Sequence, residues 1–375
     1  MTSTTSTCVR DLLGLNPTNP VKTAALVTPS NKDWATTNYH PTRCLIVHST
    51  IDPTEGTYDA DLSILWSPGD DDNLRLQEPA FPPNKRNWHC RTEADWENWF
   101  HTEVSNIVLA AWSRYPVVTQ YSHQKSLSEQ FKLDEEVDLI YTDRDDSGRI
   151  PIIIGEMKRG TIIDFEWQNA QLSTGQRRLS QELRGYAHKY GCPLIFCFDG
   201  ETLLLLRFRA FDILDIKRED LEVDTWVIRR QDCKLPLRNA LYTFLHHGFR
   251  RYQGLLAPPL VIGGLQPLYR RWYDGKPIWG RADGSESETP PVPGDYSHVM
   301  EANGAIKWLV PRTVEERSPF RLSLKLAVLL LEEIIPIIVS SRQGGEQQAI
   351  LIGGSVDCLS KWPFTWPSGC SAEGS

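Results

Sequence analysis

Apolar side chains recur most regularly in the middle of the chain, between residues 92 and 256. Thr92 begins a stretch in which four apolar side chains recur at helical spacing: Trp96, Phe100, Ile107 and Ala111. We expect this amphipathic helix to end at Tyr115, because the proline that follows disfavours the helical conformation of the residue before it. Thr92 and Asp95 also stand at the spacing of a capping box, which supports a helix that begins here.

Two neighbouring segments then show the period of a β-strand. In residues 137–141 the side chain of Asp138 shares one face with Ile140, and the three apolar side chains around them point the other way. Residues 150–158 are rich in β-branched side chains, which predicts a second strand. The segment between them, residues 143–148, has the composition of a turn. We therefore expect two consecutive strands.

The pattern continues with a helix, a hairpin and a further helix. Residues 167–190 have helical spacing, and Gly191 is a typical residue to end them. Two apolar runs, residues 193–198 and 202–208, flank Asp199-Gly200, which is a strong hairpin signal. Two more elements are predicted, a strand at residues 226–229 and a helix at residues 236–256 whose buried side is formed by Leu237, Leu241, Phe244 and Leu245.

The two flanks carry weaker patterns. Residues 1–90 contain clusters of Pro, Thr and Asp, and only two short apolar pieces, residues 44–48 and 62–66, are expected to form strands. Beyond residue 257 Pro and Gly are frequent, and one short helix is predicted at residues 322–339. These patterns predict three regions: a partly irregular N-terminal extension (1–90), a central domain (91–257) and a weakly structured C-terminal extension (258–375).

Composition limits the class of protein. The chain has 375 residues with 40% hydrophobic side chains, enough for a real core. The longest apolar segment, residues 324–339, is interrupted by two glutamates and a proline and is too short to span a bilayer. Eight cysteines form no CxxC pair, which argues against a zinc site and favours reduced thiols. We therefore expect an intracellular protein of the nucleus or cytoplasm, with no secretion signal and no membrane partner.

Charged side chains of special interest lie on the two predicted strands. Glu156 and Lys158 share one face of the second strand because alternate side chains point the same way, and Asp138 lies on the strand before. Glu103 lies inside the apolar stripe of the first helix. Hard divalent cations prefer carboxylate oxygens, and an ammonium group beside them can neutralise a phosphodiester. These residues therefore predict a nuclease-type site at the centre of a small sheet.

Residues 92–208 resemble the PD-(D/E)XK nuclease superfamily, which includes restriction-endonuclease-like and Holliday-junction-resolvase-like proteins. The similarity lies in the predicted order helix, strand, strand, helix, strand, strand, in Asp138, and in the element Glu156-Met157-Lys158. It implies an α/β fold with a restriction-endonuclease-like core, in which helices flank a central mixed sheet. The resemblance does not cover the irregular extensions that we expect at both ends. Asp138 matches the acid on the family's second core strand, and the Glu-Met-Lys element matches the one on the third.

The resemblance also implies an activity, Mg²⁺-dependent hydrolysis of nucleic acid, with DNA favoured over RNA. It implies that Glu103, Asp138 and Glu156 bind one or two Mg²⁺ ions, or Mn²⁺ in their place, and that Lys158 assists the attacking water. The corresponding expectation for partners is nucleic acid, and no membrane.

Net charge is −8, so any nucleic-acid surface has to be local. Residues 149–190 carry seven basic against four acidic side chains, and residues 246–281 carry six against one, interleaved with aromatic side chains. Cations neutralise phosphates, and aromatic rings stack on unpaired bases. The candidates for phosphate contact are Arg159, Arg177, Arg178, Arg250 and Arg251.

Other interpretations of these residues stay open. Glu156 and Lys158 could form a solvated ion pair at a strand end, Glu103 could reach solvent at a helix edge, and the basic groups could be ordinary solvated faces. A fold does not determine a function. The alternative function is therefore a catalytically inactive nuclease-like module that binds nucleic acid or a protein partner, and a protein-interaction scaffold is a third hypothesis.

Overall fold

The computed structural model describes residues 7–23, 27, 32–51, 54, 58–65, 73–113, 118–125, 136–143, 150–231, 234–257, 260–262, 264–291, 297–300, 306–309 and 315–317. The chain divides into two units, residues 1–321 and 322–375, and all described residues belong to the first. The helix predicted at residues 322–339 and most of the turn predicted at residues 143–148 fall outside the described residues.

The described helices lie before, between and after the strands of the central sheet along the chain. Their bounds are α1 (Val9–Leu13), α2 (Asp33–Asn38), α3 (Asn73–Leu76), α4 (Glu93–Phe100), α5 (Asn106–Ala110), α6 (Asp164–Gln168), α7 (Thr174–Lys189) and α8 (Leu237–Leu256). A π-helical turn, His101–Ser105, joins α4 to α5, and a 3₁₀ turn covers Leu214–Lys217. In this part of the chain no helix is long and apolar enough to cross a membrane.

Seven strands form a mixed central sheet. Their bounds are β2 (Cys44–Val47), β6 (Val118–Lys125), β7 (Glu136–Asp143), β8 (Pro151–Met157), β9 (Leu194–Phe198), β10 (Thr202–Phe208) and β11 (Glu222–Arg229). Their order is β2-β11-β10-β9-β8-β7-β6, with β8–β9 and β2–β11 parallel and the other pairs antiparallel. The predicted α/β class, with a central mixed sheet flanked by helices, is confirmed.

Short strands make up the remaining sheets. They are β1 (Val21–Thr23), β3 (Ser49–Ile51), β4 (Tyr58–Ala60), β5 (Trp88–Cys90), β12 (Tyr269–Arg270), β13 (Pro277–Gly280), β14 (Glu286–Ser287), β15 (Ser297–Met300), β16 (Ile306–Leu309) and β17 (Glu315–Arg317). They pair as β1-β5, β3-β4, β12-β13-β14 and β15-β16-β17. The C-terminal extension therefore contains two small sheets that its Pro- and Gly-rich sequence did not predict.

The first helix of the central region begins as predicted. Thr92 accepts a hydrogen bond from the backbone N–H of Asp95 at 3.2 Å, and the Asp95 carboxylate accepts from the N–H of Thr92 at 2.8 Å, so the capping box is confirmed. The α-helical hydrogen bonding is interrupted by the π turn and ends at Ala110, five residues before the predicted end. Such π turns add one residue to the helix and rotate the side chains that follow.

The strand β6 was missed by the sequence analysis. It lies between the first helix and β7, and it pairs with β7 in antiparallel register. The predicted pair of strands before α7 is therefore a set of three, β6, β7 and β8. The helix predicted at residues 167–190 is also divided, because residues 169–173 separate α6 from α7. The hairpin of β9 and β10 is confirmed, and Gly200 in its turn has a φ of 99°.

The N-terminal region contributes a strand to the central sheet. Strand β2 adds to β11 in parallel, with Leu45 opposite Val223, which confirms the prediction of a strand near residues 44–48. The second predicted strand, at residues 62–66, is wrong for residues 62–65, which form a turn. Residue 66 lies outside the described residues. One edge of the central sheet therefore belongs to residues that the sequence assigned to an extension.

Helices cover both faces of the central sheet. On one face Phe100 of α4 stacks on Phe196 of β9 at 5.5 Å between ring centroids, and Gly248 allows α8 to approach Ile152 and Ile153 closely. On the other face α7 packs on β9, and its Glu182 bonds to Lys158 just after β8. Helix α8 was expected to bury one side, but it is buried on nearly every side, including His246 and His247. Helix α8 is therefore a core element, in which polar side chains are also buried.

Gly155 is required by the close approach of β8 and β9. A methyl group added at Gly155 would lie 2.1 Å from the ring of Phe196. We expect Gly155→Ala to lower the free energy of unfolding by about 1–3 kcal/mol, because overpacking in a rigid core forces side chains from their rotamers. Gly175→Ala is the matched control, since its methyl would meet no described atom within 4 Å and should stabilise α7 by about 0.5–1 kcal/mol. The free energy of unfolding of both variants is measured by urea unfolding. A Gly155→Ala protein that is as stable as the wild type would contradict the expectation.

Candidate functional site

Asp138 and Glu156 lie side by side on neighbouring strands. The register pairs Leu139 with Gly155 and Ile140 with Ile154, and its continuation by one residue places Asp138 opposite Glu156. Side chains that are opposite in an antiparallel pair lie on the same face of the sheet. The backbone N–H of Met157 donates to Oδ2 of Asp138 at 2.6 Å, which fixes this carboxylate against the end of β8. The two acids that the sequence singled out are therefore brought together.

The ammonium of Lys158 lies between two carboxylates. Its Nζ donates to Oε1 of Glu156 at 2.6 Å and to Oε1 of Glu182 at 3.0 Å. All three residues are buried, with 4%, 6% and 0% of Glu156, Lys158 and Glu182 exposed. Glu182 comes from α7, and the sequence analysis did not select it. The predicted pairing of Glu156 with Lys158 exists, but the pair is buried, so the interpretation as a solvated ion pair is wrong.

Burial and neighbouring charge shift the pKa values of this group. Burial raises the pKa of Glu156 well above its ordinary value, Lys158 opposes the shift, and Asp138 and Glu182 add to it. Burial also raises the pKa of Asp138, although the Met157 N–H counteracts this. For Lys158 burial alone would lower the pKa, but Glu156 and Glu182 outweigh it and the pKa rises. One ammonium thus lies near three carboxyl groups, and the raised pKa values of Glu156 and Asp138 show that burial disfavours their charged forms.

Each of the two strand carboxylates has one oxygen that accepts no hydrogen bond from the described residues. Oε2 of Glu156 is buried and has no hydrogen-bond partner among the described residues. Oδ1 of Asp138 faces His123 at 3.6 Å, outside hydrogen-bond distance. Mg²⁺ usually keeps several waters and binds one or two protein carboxylates. In the described part of the chain, however, no group of three or more His, Cys, Asp or Glu is arranged to hold a metal, so a Mg²⁺ site at this pair stays a prediction.

Glu103, the third predicted ligand, is engaged elsewhere. Its Oε1 accepts hydrogen bonds from Asn19 at 2.7 Å and from the indole of Trp88 at 2.9 Å, and Arg238 lies 4.0 Å from Oε2. These contacts anchor the N-terminal region and α8 to the first helix. Glu103 is almost fully buried, so the alternative that it reaches solvent is wrong. Its role as a metal ligand stays a prediction without support from these contacts.

The ring of His123 lies between Glu97, an acid of the first helix, and Asp138. Its Oε2 is 3.0 Å from Nε2 of His123, and Nδ1 of the same ring is 3.6 Å from Oδ1 of Asp138. The other carboxylate oxygen of Glu97 contacts His101 at 3.3 Å. Glu97 lies on α4 and Glu103 lies in the π turn that follows it, and the two carboxylates face different neighbours.

The five candidate arginines differ in exposure. Arg177 and Arg178 are exposed on the first turn of α7, and Arg159 is half-buried and donates to the carbonyl of Arg91. Arg250 is half-buried and donates to Gln253 at 3.0 Å. Arg251 is only 1% exposed and donates to the carbonyl of Trp272 at 2.6 Å, so its guanidinium is a core group. The exposed pair on α7 therefore remains the best candidate for phosphate contact.

Comparisons of this chain with protein-family models, curated proteins and solved structures find no match. The resemblance to the PD-(D/E)XK superfamily therefore rests on residue types and their spacing in the sequence.

Removal of the Lys158 charge should destabilise the protein. We expect Lys158→Met to lower the free energy of unfolding by about 3–5 kcal/mol near neutral pH, because Glu156 and Glu182 would remain buried without their cation. The double variant Lys158→Met with Glu182→Gln should recover part of this loss, since one of the two unpaired charges is removed. Urea unfolding measures both. Arg177→Gln, at an exposed site, is the control and should change little; a Lys158→Met protein as stable as this control would contradict the expectation.

Proposed function

We propose that the protein is a metal-dependent nuclease with a PD-(D/E)XK-type site, which hydrolyses nucleic acid, DNA in preference to RNA. The observation that carries this proposal is the placement of Asp138 opposite Glu156, each with a carboxylate oxygen available, and Lys158 within 2.6 Å of Glu156. Two acids and one amine on adjoining strands are the group that the sequence resemblance assigned to phosphodiester hydrolysis.

The order of the elements supports the proposal. After the helix α4–α5 come three antiparallel strands, then α7, then β9 parallel to β8. Asp138 lies on the second of these strands, and Glu156 and Lys158 lie at the end of the third. The resemblance refers to a second and a third core strand, so these strand positions support the proposal.

The residues of the site have separable roles in this proposal. Asp138 and Glu156 would hold one Mg²⁺, for which Mn²⁺ can substitute, and the Met157 N–H orients the Asp138 carboxylate. When bound, the ion would offset the negative charge that develops on the phosphodiester. Lys158 places a positive charge beside the reacting phosphate, and Glu182 positions that amine from α7. Glu103 has no part in this arrangement.

One observation favours the second candidate function, a catalytically inactive module. Lys158 already bonds to both Glu156 and Glu182, and the described residues contain no group of three metal-binding side chains. In such a module the ammonium would serve in place of a metal, as a structural cation. Millimolar Mg²⁺ would then leave the melting temperature unchanged, whereas an active site that binds Mg²⁺ is stabilised by it.

Cleavage assays test the proposal directly. Asp138→Asn and Glu156→Gln are each expected to lower Mg²⁺-dependent DNA cleavage on the order of 100-fold or more, because each removes one charge that holds the ion without changing side-chain size. The wild-type melting temperature should rise with millimolar Mg²⁺, and that of both variants should rise less.

The control for this experiment is Glu222→Gln, which removes an exposed carboxylate that pairs with Arg209. It should cleave as the wild type does. Folded Asp138→Asn and Glu156→Gln proteins with unchanged cleavage would exclude these residues from the mechanism, and a wild type with neither cleavage nor Mg²⁺ stabilisation would favour the inactive module.

The exposed arginines of α7 should contribute to the electrostatic part of nucleic-acid binding. For Arg177→Gln with Arg178→Gln, the slope of log K against log salt concentration should fall by about 1.4–1.8, since each lost phosphate contact reduces it by about 0.7–0.9. Binding is measured with a labelled oligonucleotide in the presence of EDTA. Arg43→Gln with Arg218→Gln removes two exposed arginines that pair with Glu219 and Asp220, and this control should keep the wild-type slope.

A further inference from the structure

Arg184 of α7 is a buried cation for which the described residues supply no carboxylate partner. It is 0% exposed, and burial lowers its pKa to about 10. Its Nη1 donates to the backbone carbonyl of Arg218 at 2.5 Å, whereas Nε and Nη2 have no hydrogen-bond partner among the described residues. A buried charge is unfavourable unless it is paired, so this guanidinium favours an anion beside it.

The two unpartnered nitrogens form one edge of the guanidinium group. Their N–H bonds are parallel, and this geometry matches two oxygens of a carboxylate or a phosphate. The backbone N–H of Thr42 donates to Oγ of Ser180, about one turn before Arg184 on α7, at 3.0 Å. Thr42 is 4% exposed, and its Oγ1 also has no partner among the described residues. A buried hydroxyl therefore lies in the same region as the unpartnered edge.

The acidic side chains of this region are engaged with other arginines. Arg218 pairs with Asp220 at 2.9 Å, and Arg43 forms an exposed ion pair with Glu219. The charge of Glu219 partly opposes the lowering of the Arg184 pKa, but the two side chains do not form an ion pair. Of these three arginines, only Arg184 has no carboxylate partner in the part of the chain that the structure describes.

The region around Arg184 is separate from the candidate functional site. Glu182, which bonds to Lys158, precedes Arg184 by two residues, and two residues on a helix differ by about 200° in direction. Glu182 therefore points to the end of β8, whereas Arg184 points to the segment that contains Arg218. A ligand at Arg184 would not compete with the chemistry proposed above.

We propose that Arg184 and Thr42 bind a small oxyanion, which is either inorganic phosphate or the carboxylate of a small organic acid. Nε and Nη2 would donate two parallel hydrogen bonds to its oxygens, and Oγ1 of Thr42 would donate a third. Because Arg184 is buried, only a small ligand can fit. The anion would neutralise the buried charge and join α7 to the segment before β11. This inference does not depend on the proposed function.

Thermal unfolding of the full chain tests the proposal, with inorganic phosphate, acetate and chloride compared at constant ionic strength. A bound oxyanion should raise the melting temperature in a saturable way, by about 3–5 °C at about 100 times its Kd, because it binds only the folded state. A response to phosphate alone would identify a phosphate site, and a response to acetate alone would identify a carboxylate site. Chloride has no pair of oxygens and should have little effect.

Variants of the two binding residues locate the response. Arg184→Lys keeps the charge but lacks the parallel edge, so we expect the Kd of the oxyanion to rise at least about 10-fold. Thr42→Val removes only the hydroxyl and should raise it about 5-fold. Arg184→Met should abolish the response; if this variant does not fold, Arg184→Lys decides the question.

The matched control is Arg281→Gln, which removes an exposed arginine that donates to Ser287 at 3.0 Å and should keep the wild-type response. General effects of salt on stability act on all variants alike. The inference would be overturned by a wild type that responds to neither oxyanion, by an equal response to chloride, or by an unchanged Kd in Arg184→Lys. None of these outcomes bears on nucleic-acid cleavage, so this inference and the nuclease proposal can fail separately.

Discussion

The buried ammonium of Lys158 is the interaction on which the charged face of the sheet depends. Removing an ion from water costs several kcal/mol, and attraction repays this cost only when the geometry is good. Lys158 meets that condition with two hydrogen bonds, one within β8 and one to Glu182 of α7. This contact joins the sheet to the helix that covers it, and it also leaves Glu156 with one unpartnered oxygen. The atoms that join α7 to the sheet therefore also belong to the candidate functional site.

The opposite face of the sheet provides the rigidity that such a site needs. Gly155 precedes Glu156 in the chain. On the face opposite to the Glu156 side chain, the α-carbon of Gly155 lies directly under the ring of Phe196. Phe196 in turn stacks on Phe100 of α4. Because no side chain larger than that of glycine fits at Gly155, β8 packs closely against Phe196 on this face while its other face carries charge. A site held within a few tenths of an ångström is what phosphoryl chemistry and metal binding require.

Local patterns were sufficient for much of the fold. The capping box at Thr92, the alternation in β7 and β8 and the Asp199-Gly200 turn each predicted an element that the structure contains. The edge strand β6 and the incorporation of β2 into the sheet were not predicted. Edge strands carry a weaker apolar pattern because they are packed on fewer sides. Short N-terminal strands such as β2 are stabilised by pairing with a strand from a distant part of the chain.

The sequence by itself determined that Glu156 and Lys158 share a face, because alternation along a strand is a local property. It also identified Asp138 as their partner through spacing and resemblance. Only the tertiary structure decided which acids from the helices approach this face. Glu97 and Glu182 do so, whereas Glu103 bonds to Asn19 and Trp88. The reason is that the rotation and packing of a helix depend on contacts with distant parts of the chain, and a local sequence pattern does not contain this information. For Glu182 the sequence contained one indication, an acid on the helix face that carries the buried Leu179 and Tyr186. For His123 the sequence contained no indication, because its position opposite Asp138 depends on the pairing of β6 with β7.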